Sequence, residues 1–167
     1  MLERIWNGWR ATYVGSAGEA AVSGEGSVFS QILRSGLDDE TTNIVHRGEL
    51  CFAVLNAYPY GTGHLLVLPC REVANLEDLE QAETSELWTT VTDAVRAIKL
   101  AYSPEGINVG INLGRPAGGS VSEHLHVHVV PRWTGDANFM TTVANTRTLP
   151  EALDVTAARI RAAWPGQ

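Results

Sequence analysis

The stretch Glu-His-Leu-His-Val-His-Val-Val-Pro-Arg, at residues 123–132, alternates histidines with aliphatic residues. The histidines are His124, His126 and His128, and the aliphatic residues that alternate with them are Leu125, Val127 and Val129. Because successive side chains of a strand point to opposite faces, we predict a strand with its imidazoles on one face and its aliphatic side chains in the core. A row of imidazoles on a rigid element is typical of a catalytic or metal-binding site.

Two other interpretations of this row compete with catalysis. Packing alone accounts for one hydrogen-bonded histidine in a strand, but it accounts poorly for three in strict alternation. Zinc is the second alternative, because His-x-His on a strand can present two nitrogens to one ion. A zinc site needs further ligands, and the two cysteines, Cys51 and Cys70, lie far upstream without the paired spacing of a metal site. We therefore predict a catalytic row that holds no metal.

Length and composition indicate one globular domain in a reducing compartment. The chain has 167 residues, of which 44% are hydrophobic and 19% charged, so it can bury a core. Its net charge of −7 argues against general binding to nucleic-acid backbones, although a local pocket could still hold an anionic nucleotide. Two cysteines give no disulfide framework and fit a cytoplasmic location. Residues 1–6 lack the continuous apolar segment of a signal peptide, and no run of about 18 apolar residues predicts a membrane span.

The order of the predicted elements favours an α+β fold with an antiparallel sheet. We predict a single domain over residues 1–167, with an N-terminal arm at 1–14, a flexible loop at about 15–27, a core at about 42–140 and a C-terminal helix at about 150–164. The other predicted elements are strands at 42–48, 51–57, 64–69 and 107–113, and a long helix at 84–102. A turn with Pro and Gly at residues 58–63 predicts a hairpin between two of the strands.

Both predicted helices carry an apolar face at three- and four-residue spacing. In the long helix this face comprises Leu87, Trp88, Val91, Val95, Ile98 and Tyr102. In the C-terminal helix it comprises Leu153, Ala157, Ile160 and Trp164. We interpret both faces as packing surfaces that cover the sheet.

A glycine-rich loop at residues 114–120 lies directly before the histidines. Small residues let backbone N–H groups approach an anion closely, and successive amides form an anion-binding concavity. A neutral imidazole can attack phosphorus and later leave again. The loop and the row together favour a site for phosphoryl or nucleotidyl chemistry.

The histidine row is joined upstream by Asn56, by Gly63-His64-x-Leu66 and by Pro69. With these residues the chain resembles the histidine-triad (HIT) family of nucleotidyl hydrolases and transferases, over roughly residues 45–135. Longer stretches at 47–49, 55–60, 112–114, 117–120, 123–133 and 135–139 are similar to one branch of that family, the actinobacterial diadenosine tetraphosphate phosphorylases. The resemblance implies a HIT-like α+β fold, with an antiparallel sheet, a long helix and a C-terminal helix.

The resemblance also implies roles for four histidines. His126 would attack the α-phosphorus and form a covalent nucleotidyl-histidine. His124 would orient the His126 ring through its backbone carbonyl. His128 and His64 would contact the phosphate chain.

Five further residues match substrate-binding positions of the family. Asn56 matches the position that holds the ribose. Asn112, Gly119 and Ser120 match phosphate-binding positions, and Trp133 matches a residue that closes the site.

The chain departs from many HIT proteins at two places. Gly119 stands where many relatives carry a glutamine, and its small size leaves room for phosphate while removing an amide that could order a water. Ser27 and Ser30 stand where some relatives carry a Cys-x-x-Cys zinc site, and Glu72 stands where a third ligand, a histidine, would be expected. We therefore predict no structural zinc.

The resulting hypothesis is nucleotidyl transfer in which diadenosine tetraphosphate and phosphate yield ATP and ADP. The enzymatic alternatives are hydrolysis of a dinucleoside polyphosphate, cleavage of an adenosine phosphoramidate and biosynthetic adenylyl transfer. The non-enzymatic alternative is a nucleotide-binding sensor, which would not need a reactive imidazole between two others. No cofactor is predicted beyond magnesium carried with the polyphosphate. We expect neither nucleic acid nor membrane as a partner, and we expect a homodimer whose sheets join, or a homotetramer.

Overall fold

A five-stranded antiparallel sheet organises the protein, seen in a computed structural model that describes residues 26–118, 121–136 and 151–166. The predicted arm at 1–14 and almost all of the predicted loop at about 15–27 lie outside these residues, as do Gly119 and Ser120. The strands are β1 (Ile44–Arg47), β2 (Cys51–Leu55), β3 (Leu65–Pro69), β4 (Gly106–Ile111) and β5 (Val127–Arg132). Their spatial order is β1-β2-β3-β5-β4.

The predicted hairpin joins β2 to β3, and Gly63 lets the chain enter β3. Gly63 has a φ of +79°, a conformation that residues with a Cβ rarely adopt. A Cβ at this position would lie 3.2 Å from Pro131 Cγ, so the close approach of the turn to β5 also needs glycine. β5 then pairs with β3 on one side, with Leu66 opposite His128, and with β4 on the other.

Four α-helices lie around the sheet within the described residues: α1 (Val28–Arg34), α2 (Asp39–Thr42), α3 (Gln81–Tyr102) and α4 (Leu153–Ala162). Short 3₁₀ turns occur at Leu76–Asp78 and Arg115–Ala117. Side chains cap the first two helices, because Ser27 accepts from the Ser30 N–H and Asp38 from the Thr41 N–H. These two short helices had no counterpart among the predicted elements. No helix among the described residues is long and apolar enough to span a membrane.

The two faces of the sheet are covered differently. The larger core lies between one face and helices α3 and α4, and it contains all four predicted apolar residues of the C-terminal helix. The opposite face carries a smaller cluster around Phe52 and Leu66, which Phe29 of α1 covers. The histidines belong to this second face, and Leu125, Val127 and Val129 are buried in the first core, so the predicted alternation is confirmed.

Four details of the sequence interpretation were wrong. The histidine strand begins only at Val127, because the pairing of β5 with β3 stops there, so His124 and His126 precede the strand. Trp88 is 45% exposed, because it lies beyond the edge of the face that α3 buries. Thr42 ends α2 rather than opening a strand, and Asn43 follows in a left-handed conformation. The fourth-strand prediction extended to residue 113, whereas β4 ends at Ile111.

Candidate active site

His124 and His126 form the first half of the histidine row. The His126 ring is 6% exposed, and its Nδ1 lies 2.8 Å from the backbone carbonyl oxygen of His124. A carbonyl oxygen can only accept a hydrogen bond, so Nδ1 of His126 carries a proton. In the neutral ring this leaves the lone pair on Nε2, which is the form that can act as a nucleophile.

His64 and His128 form the second half, and their tautomers follow from one backbone N–H. The Tyr60 N–H donates to His64 Nδ1 at 3.0 Å, so the proton of His64 is on Nε2. That nitrogen lies 2.9 Å from His128 Nδ1, which therefore accepts. The proton of His128 is then on Nε2. At this nitrogen His128 is a hydrogen-bond donor, whereas His126 has a lone pair at its Nε2.

Burial keeps the His124 and His128 imidazoles neutral. Desolvation, with a smaller electrostatic contribution from the neighbouring His126, lowers the pKa of His128 to about 4. Desolvation also lowers the pKa of His124, although the Pro69 carbonyl and Glu72 oppose it. Both rings are uncharged near pH 7, in agreement with the tautomers that their partners impose.

The two predicted asparagines lie at the second half of the row. Asn56 Oδ1 accepts from the Tyr58 N–H at 2.9 Å, and its Nδ2 lies 3.3 Å from His64 Nδ1. The Asn112 side-chain amide lies 3.4 Å from His128 Nε2. Since His128 Nε2 carries the proton, the Asn112 side chain must face it with its amide oxygen. The oxygen and nitrogen of a side-chain amide are nearly the same in shape, so the amide can be turned over to satisfy this requirement.

Aromatic side chains line the row on both halves. The Tyr60 ring stacks on His128 with centroids 5.7 Å apart, and it lies 4.6 Å from the His64 ring. Phe29 of α1 packs against His126 at 5.4 Å and against His124 at 5.8 Å. Neighbouring histidines are also in contact, with His126 and His128 centroids 4.9 Å apart. The row is therefore a continuous packed surface.

A hydrogen-bonded quartet of Ser27, Ser30, Glu72 and His124 lies behind His124. Ser27 Oγ is 2.6 Å from His124 Nδ1, and Ser30 Oγ donates to Glu72 Oε2 at 2.6 Å. The Ser27 N–H donates to the same carboxylate oxygen at 2.7 Å. Donors to Glu72, chiefly the Ser30 hydroxyl and the Ser27 N–H, lower the pKa of this carboxyl, so it is charged.

The quartet is a poor ligand set for zinc. Structural zinc sites use thiolates and imidazoles with ligand–metal distances of about 2.0–2.3 Å, which spread the ligand atoms apart around the ion. Here two neutral hydroxyls replace the thiolates, and the polar atoms already contact one another at 2.6 Å. The described residues contain no group of three His, Cys, Asp or Glu side chains placed to hold a metal ion.

The structure brings together six of the predicted site residues, the four histidines with Asn56 and Asn112. Trp133 stands apart from them among the described contacts, since its ring lies edge-on to Tyr102 with centroids 6.5 Å apart, at the end of α3. Gly119 and Ser120 lie outside the described residues, although the adjoining Gly118 is near Asn112.

Sequence reasoning missed the contributions of Tyr60, Phe29 and the quartet. Tyr60 stood in a predicted turn, and only the three-dimensional return of β3 places its N–H on His64. Ser27, Ser30 and Glu72 were considered only as replacements for zinc ligands. The resemblance placed these three residues at the positions of one zinc site, which was a usable signal that they lie close together, but it did not include His124.

Comparison with known proteins adds family and substrate information. The HIT domain matches residues 38–135. A protein named AP-4-A phosphorylase from Mycobacterium tuberculosis is 44% identical over 170 residues, which cover 99% of this chain and 86% of that protein. A Schizosaccharomyces pombe protein, bis(5'-nucleosyl)-tetraphosphatase [asymmetrical], is 37% identical over 95 residues, which cover 57% of this chain and 52% of that protein.

A similar solved structure is a zinc-bound histidine triad family protein from Mycobacterium smegmatis. The two structures align with a TM-score of 0.68 at 26% sequence identity, over 86% of this chain and 94% of that one. The likeness covers most of both chains, in agreement with the predicted α+β class.

Proposed function

We propose a function from one premise: this chain belongs to the HIT domain family. It is a nucleotidyl-transferring enzyme that converts diadenosine tetraphosphate and phosphate to ATP and ADP. The observation that carries the chemistry is the hydrogen bond from His126 Nδ1 to the His124 carbonyl, which leaves the nucleophilic lone pair on Nε2. The substrate class comes from the near full-length likeness to a protein named AP-4-A phosphorylase.

In the first step His126 Nε2 attacks the α-phosphorus of one adenosine. A P–N bond forms, the bond from that phosphorus to the bridging oxygen breaks, and ATP leaves with its electron pair. His128 is assigned to the leaving side, because its Nε2–H can exchange the long 3.4 Å contact with the Asn112 amide for an oxygen of the phosphate chain. His64 holds His128 in this tautomer.

In the second step inorganic phosphate attacks the same phosphorus. A new P–O bond forms, the P–N bond to His126 breaks, and ADP is released. We assign Gly119 and Ser120 to this step, as the residues that leave room for phosphate and donate hydrogen bonds to it. Asn56 is assigned to the ribose, Asn112 to the phosphates and Trp133 to closure of the site.

Hydrolysis is the second candidate, favoured by the likeness to the S. pombe tetraphosphatase. Water and phosphate would attack the same nucleotidyl-His126, so the histidine row alone does not choose between them. A phosphorylase must hold phosphate near the line of attack against water at far higher concentration. The small residue at position 119 is the feature that favours phosphate.

We propose that the reaction needs no protein-bound metal and no cofactor other than magnesium carried by the polyphosphate. The quartet supports this proposal, because its hydroxyl, carboxylate and imidazole groups form hydrogen bonds to one another without an ion.

We also propose a cytoplasmic location, on the ground that both cysteines are free thiols.

We also propose that the protein is a homodimer or homotetramer in which sheets join. Among the described strands β4 lies at one end of the sheet, and Val109 is 43% exposed there. An exposed edge strand offers unpaired backbone groups to a second copy. Light scattering coupled to size-exclusion chromatography measures this state.

The decisive experiment identifies products with diadenosine tetraphosphate, with and without phosphate. Phosphorolysis gives ATP and ADP in equal amounts, and the formation of ADP requires added phosphate. Equal amounts of ATP and AMP, formed at a rate that does not depend on phosphate concentration, would establish a hydrolase instead. Parallel reactions with adenosine phosphoramidate as the substrate test a third possible reaction, the cleavage of a P–N bond in the substrate.

The choice of acceptor can be tested with two substitutions in the loop. Gly119→Gln should narrow the phosphate site and increase AMP relative to ADP. Ser120→Ala should raise the phosphate concentration needed for half-maximal rate, by about 5- to 150-fold for a lost hydrogen bond of about 1–3 kcal/mol. An unchanged product ratio in Gly119→Gln together with an unchanged phosphate dependence in Ser120→Ala would show that the loop does not select the acceptor.

A further inference from the structure

His124 must be fixed before it can orient His126, yet the sheet does not fix it. The pairing of β5 with β3 ends at Val127, so the His124 backbone lies beyond the last ladder pair. The nearest backbone restraint is the Leu125 N–H, which donates to the Val73 carbonyl at 2.6 Å. The ring of His124, which is fully buried, supplies the other restraints.

The two ring nitrogens of His124 are held from opposite sides. Nε2 lies 2.8 Å from the Pro69 carbonyl oxygen, which only accepts, so Nε2 carries the proton. Nδ1 of the neutral ring then accepts, and its partner is Ser27 Oγ at 2.6 Å. The Ser27 hydroxyl is therefore the donor that completes the hydrogen bonding of a buried imidazole.

Ser27 is itself held by two groups. Its N–H donates to Glu72 Oε2 at 2.7 Å, and its Oγ accepts from the Ser30 N–H at 3.1 Å as the N-cap of α1. Ser30 Oγ donates its proton to the same Glu72 oxygen. The Ser27 proton then has two acceptors within reach, and His124 Nδ1 at 2.6 Å is much closer than Ser30 Oγ at 3.2 Å. One carboxylate therefore fixes both serines, and the serine hydroxyl fixes the ring.

We propose that Ser27, Ser30 and Glu72 are positioning residues for the nucleophile, which act through His124 on the orientation of His126. When the Ser27 hydroxyl is lost, the His124 ring can turn and the backbone carbonyl of His124 shifts with it. The hydrogen bond between this carbonyl and His126 Nδ1 then weakens. His126 Nε2 then points at phosphorus for a smaller fraction of the time. The kinetic part of this proposal rests on the proposed function.

The alternative is that the quartet only anchors α1, and the choice of variants separates the two roles. Ser27→Gly removes the hydroxyl but keeps most of the benefit of an N-cap, because glycine is tolerated at that position. Ser27→Thr keeps both hydroxyl and cap. Ser35→Ala is the matched control, since the Ser35 hydroxyl bonds to the Ile32 carbonyl at the other end of α1 and takes no part in the quartet.

The kinetic arm measures kcat and KM with diadenosine tetraphosphate and phosphate. Ser27→Gly should lower kcat about 10- to 100-fold, the size expected when a group that orients a catalytic residue is lost, with KM within about twofold. Ser27→Thr should stay within about threefold of wild type, and Glu72→Gln should fall between the two. A wild-type kcat in Ser27→Gly, an equal loss in Ser35→Ala, or a loss confined to KM would overturn the proposal.

The spectroscopic arm needs no substrate. Long-range ¹H–¹⁵N spectra report which nitrogen of each imidazole is protonated, and a protected Nδ1 proton marks the bond from His126 to the His124 carbonyl. This proton should be lost in Ser27→Gly and kept in Ser27→Thr and Ser35→Ala. Retention in Ser27→Gly would overturn the proposal even if activity fell. If the wild-type protein does not act on diadenosine tetraphosphate but the proton responds as expected, the proposed function fails and the positioning role stands.

Discussion

The two halves of the histidine row are fixed by opposite kinds of backbone group. Carbonyl oxygens hold the first half, since His124 Nε2 meets the Pro69 carbonyl and His126 Nδ1 meets the His124 carbonyl. A backbone N–H holds the second half, where Tyr60 donates to His64 and His64 to His128. The first arrangement ends in a lone pair on His126 Nε2 and the second in an N–H on His128 Nε2.

This difference shows how one residue type can supply two chemical roles. A nucleophile needs a lone pair, whereas a group that stabilises a leaving phosphate needs a proton to donate. Neutral imidazole provides either one, and the polarity of the nearest backbone group selects between them. The following predictions test this division from its largest expected consequence to its smallest.

The nucleophilic half is tested most directly by His126→Ala. Removal of a covalent nucleophile should lower kcat/KM by at least about 10³-fold. Labelled adenylate should no longer attach to the protein, as measured by intact-protein mass spectrometry after rapid quenching. His46→Ala is the control, because that histidine stacks on Trp164 away from the row. More than a tenth of wild-type activity in His126→Ala would contradict the covalent assignment.

The donor half is tested by His128→Ala. Loss of one donor to the phosphate chain should lower kcat by about 10²-fold. The covalent adenylate should still form, because His126 keeps its carbonyl partner. Single-turnover measurements of the ATP burst check this separation. A variant that forms no adenylate at all would mean that the two halves are not independent.

The link between the Tyr60 N–H and His128 is tested by His64→Ala. Without His64 the His128 ring can exchange its two tautomers, and we expect a loss of about tenfold in kcat. The ¹⁵N shifts of the His128 ring should change from a fixed Nε2–H form to a mixture. Fixed shifts in this variant would show that another group sets the tautomer.

Stability should respond to pH through the donor half. The folded protein protonates His128 only near its pKa of about 4, whereas an unfolded histidine takes up a proton near pH 6.5. The unfolded state therefore binds more protons between these values, and stability falls as pH decreases through this range. For His128 this loss of stability begins near pH 6.5 and is complete near pH 4. Urea denaturation should give a shallower pH dependence for His128→Asn, and an unchanged slope would contradict the buried neutral assignment.

The smallest expected effect is that of zinc removal. Purified protein should contain far less than one zinc per chain, and a zinc-selective chelator should leave activity and thermal stability unchanged when magnesium is supplied. Elemental analysis and thermal denaturation provide the two measurements. Stoichiometric zinc whose removal abolishes activity would mean that the quartet rearranges around an ion.

Much of the fold was predictable because periodicity reports which side chains are buried. Alternation at Leu125, Val127 and Val129 predicted the core face of β5, and the spacing of Leu153 and Ile160 predicted α4. The helix at residues 28–34 was not predictable, since its hydrophobic residues cover a patch that exists only after β2 and β3 have paired. The exposure of Trp88 escaped the pattern because periodicity cannot tell where a buried face ends.

The residues of the candidate site were easier to predict than their tautomers and the hydrogen bonds between them. The alternation grouped His124, His126 and His128, and the resemblance to the HIT family added His64. Their tautomers depend on the Tyr60 N–H and the Pro69 carbonyl, which carry no side-chain signal. The hydrogen bond between Ser27 and His124 joins residues 97 positions apart, so sequence spacing could not reveal it.

The order β1-β2-β3-β5-β4 has a consequence for biosynthesis. The last of the described strands to leave the ribosome is placed inside the sheet, between two strands that are made earlier. Its arrival joins β3 to β4 and, in the same event, brings His128 to His64 across 64 residues. The histidine row is absent from every nascent chain in which β5 has not yet been synthesised. Strands that are distant in sequence also pair slowly, which delays the row further. Translation must therefore pass residue 132 before this protein can acquire its chemistry.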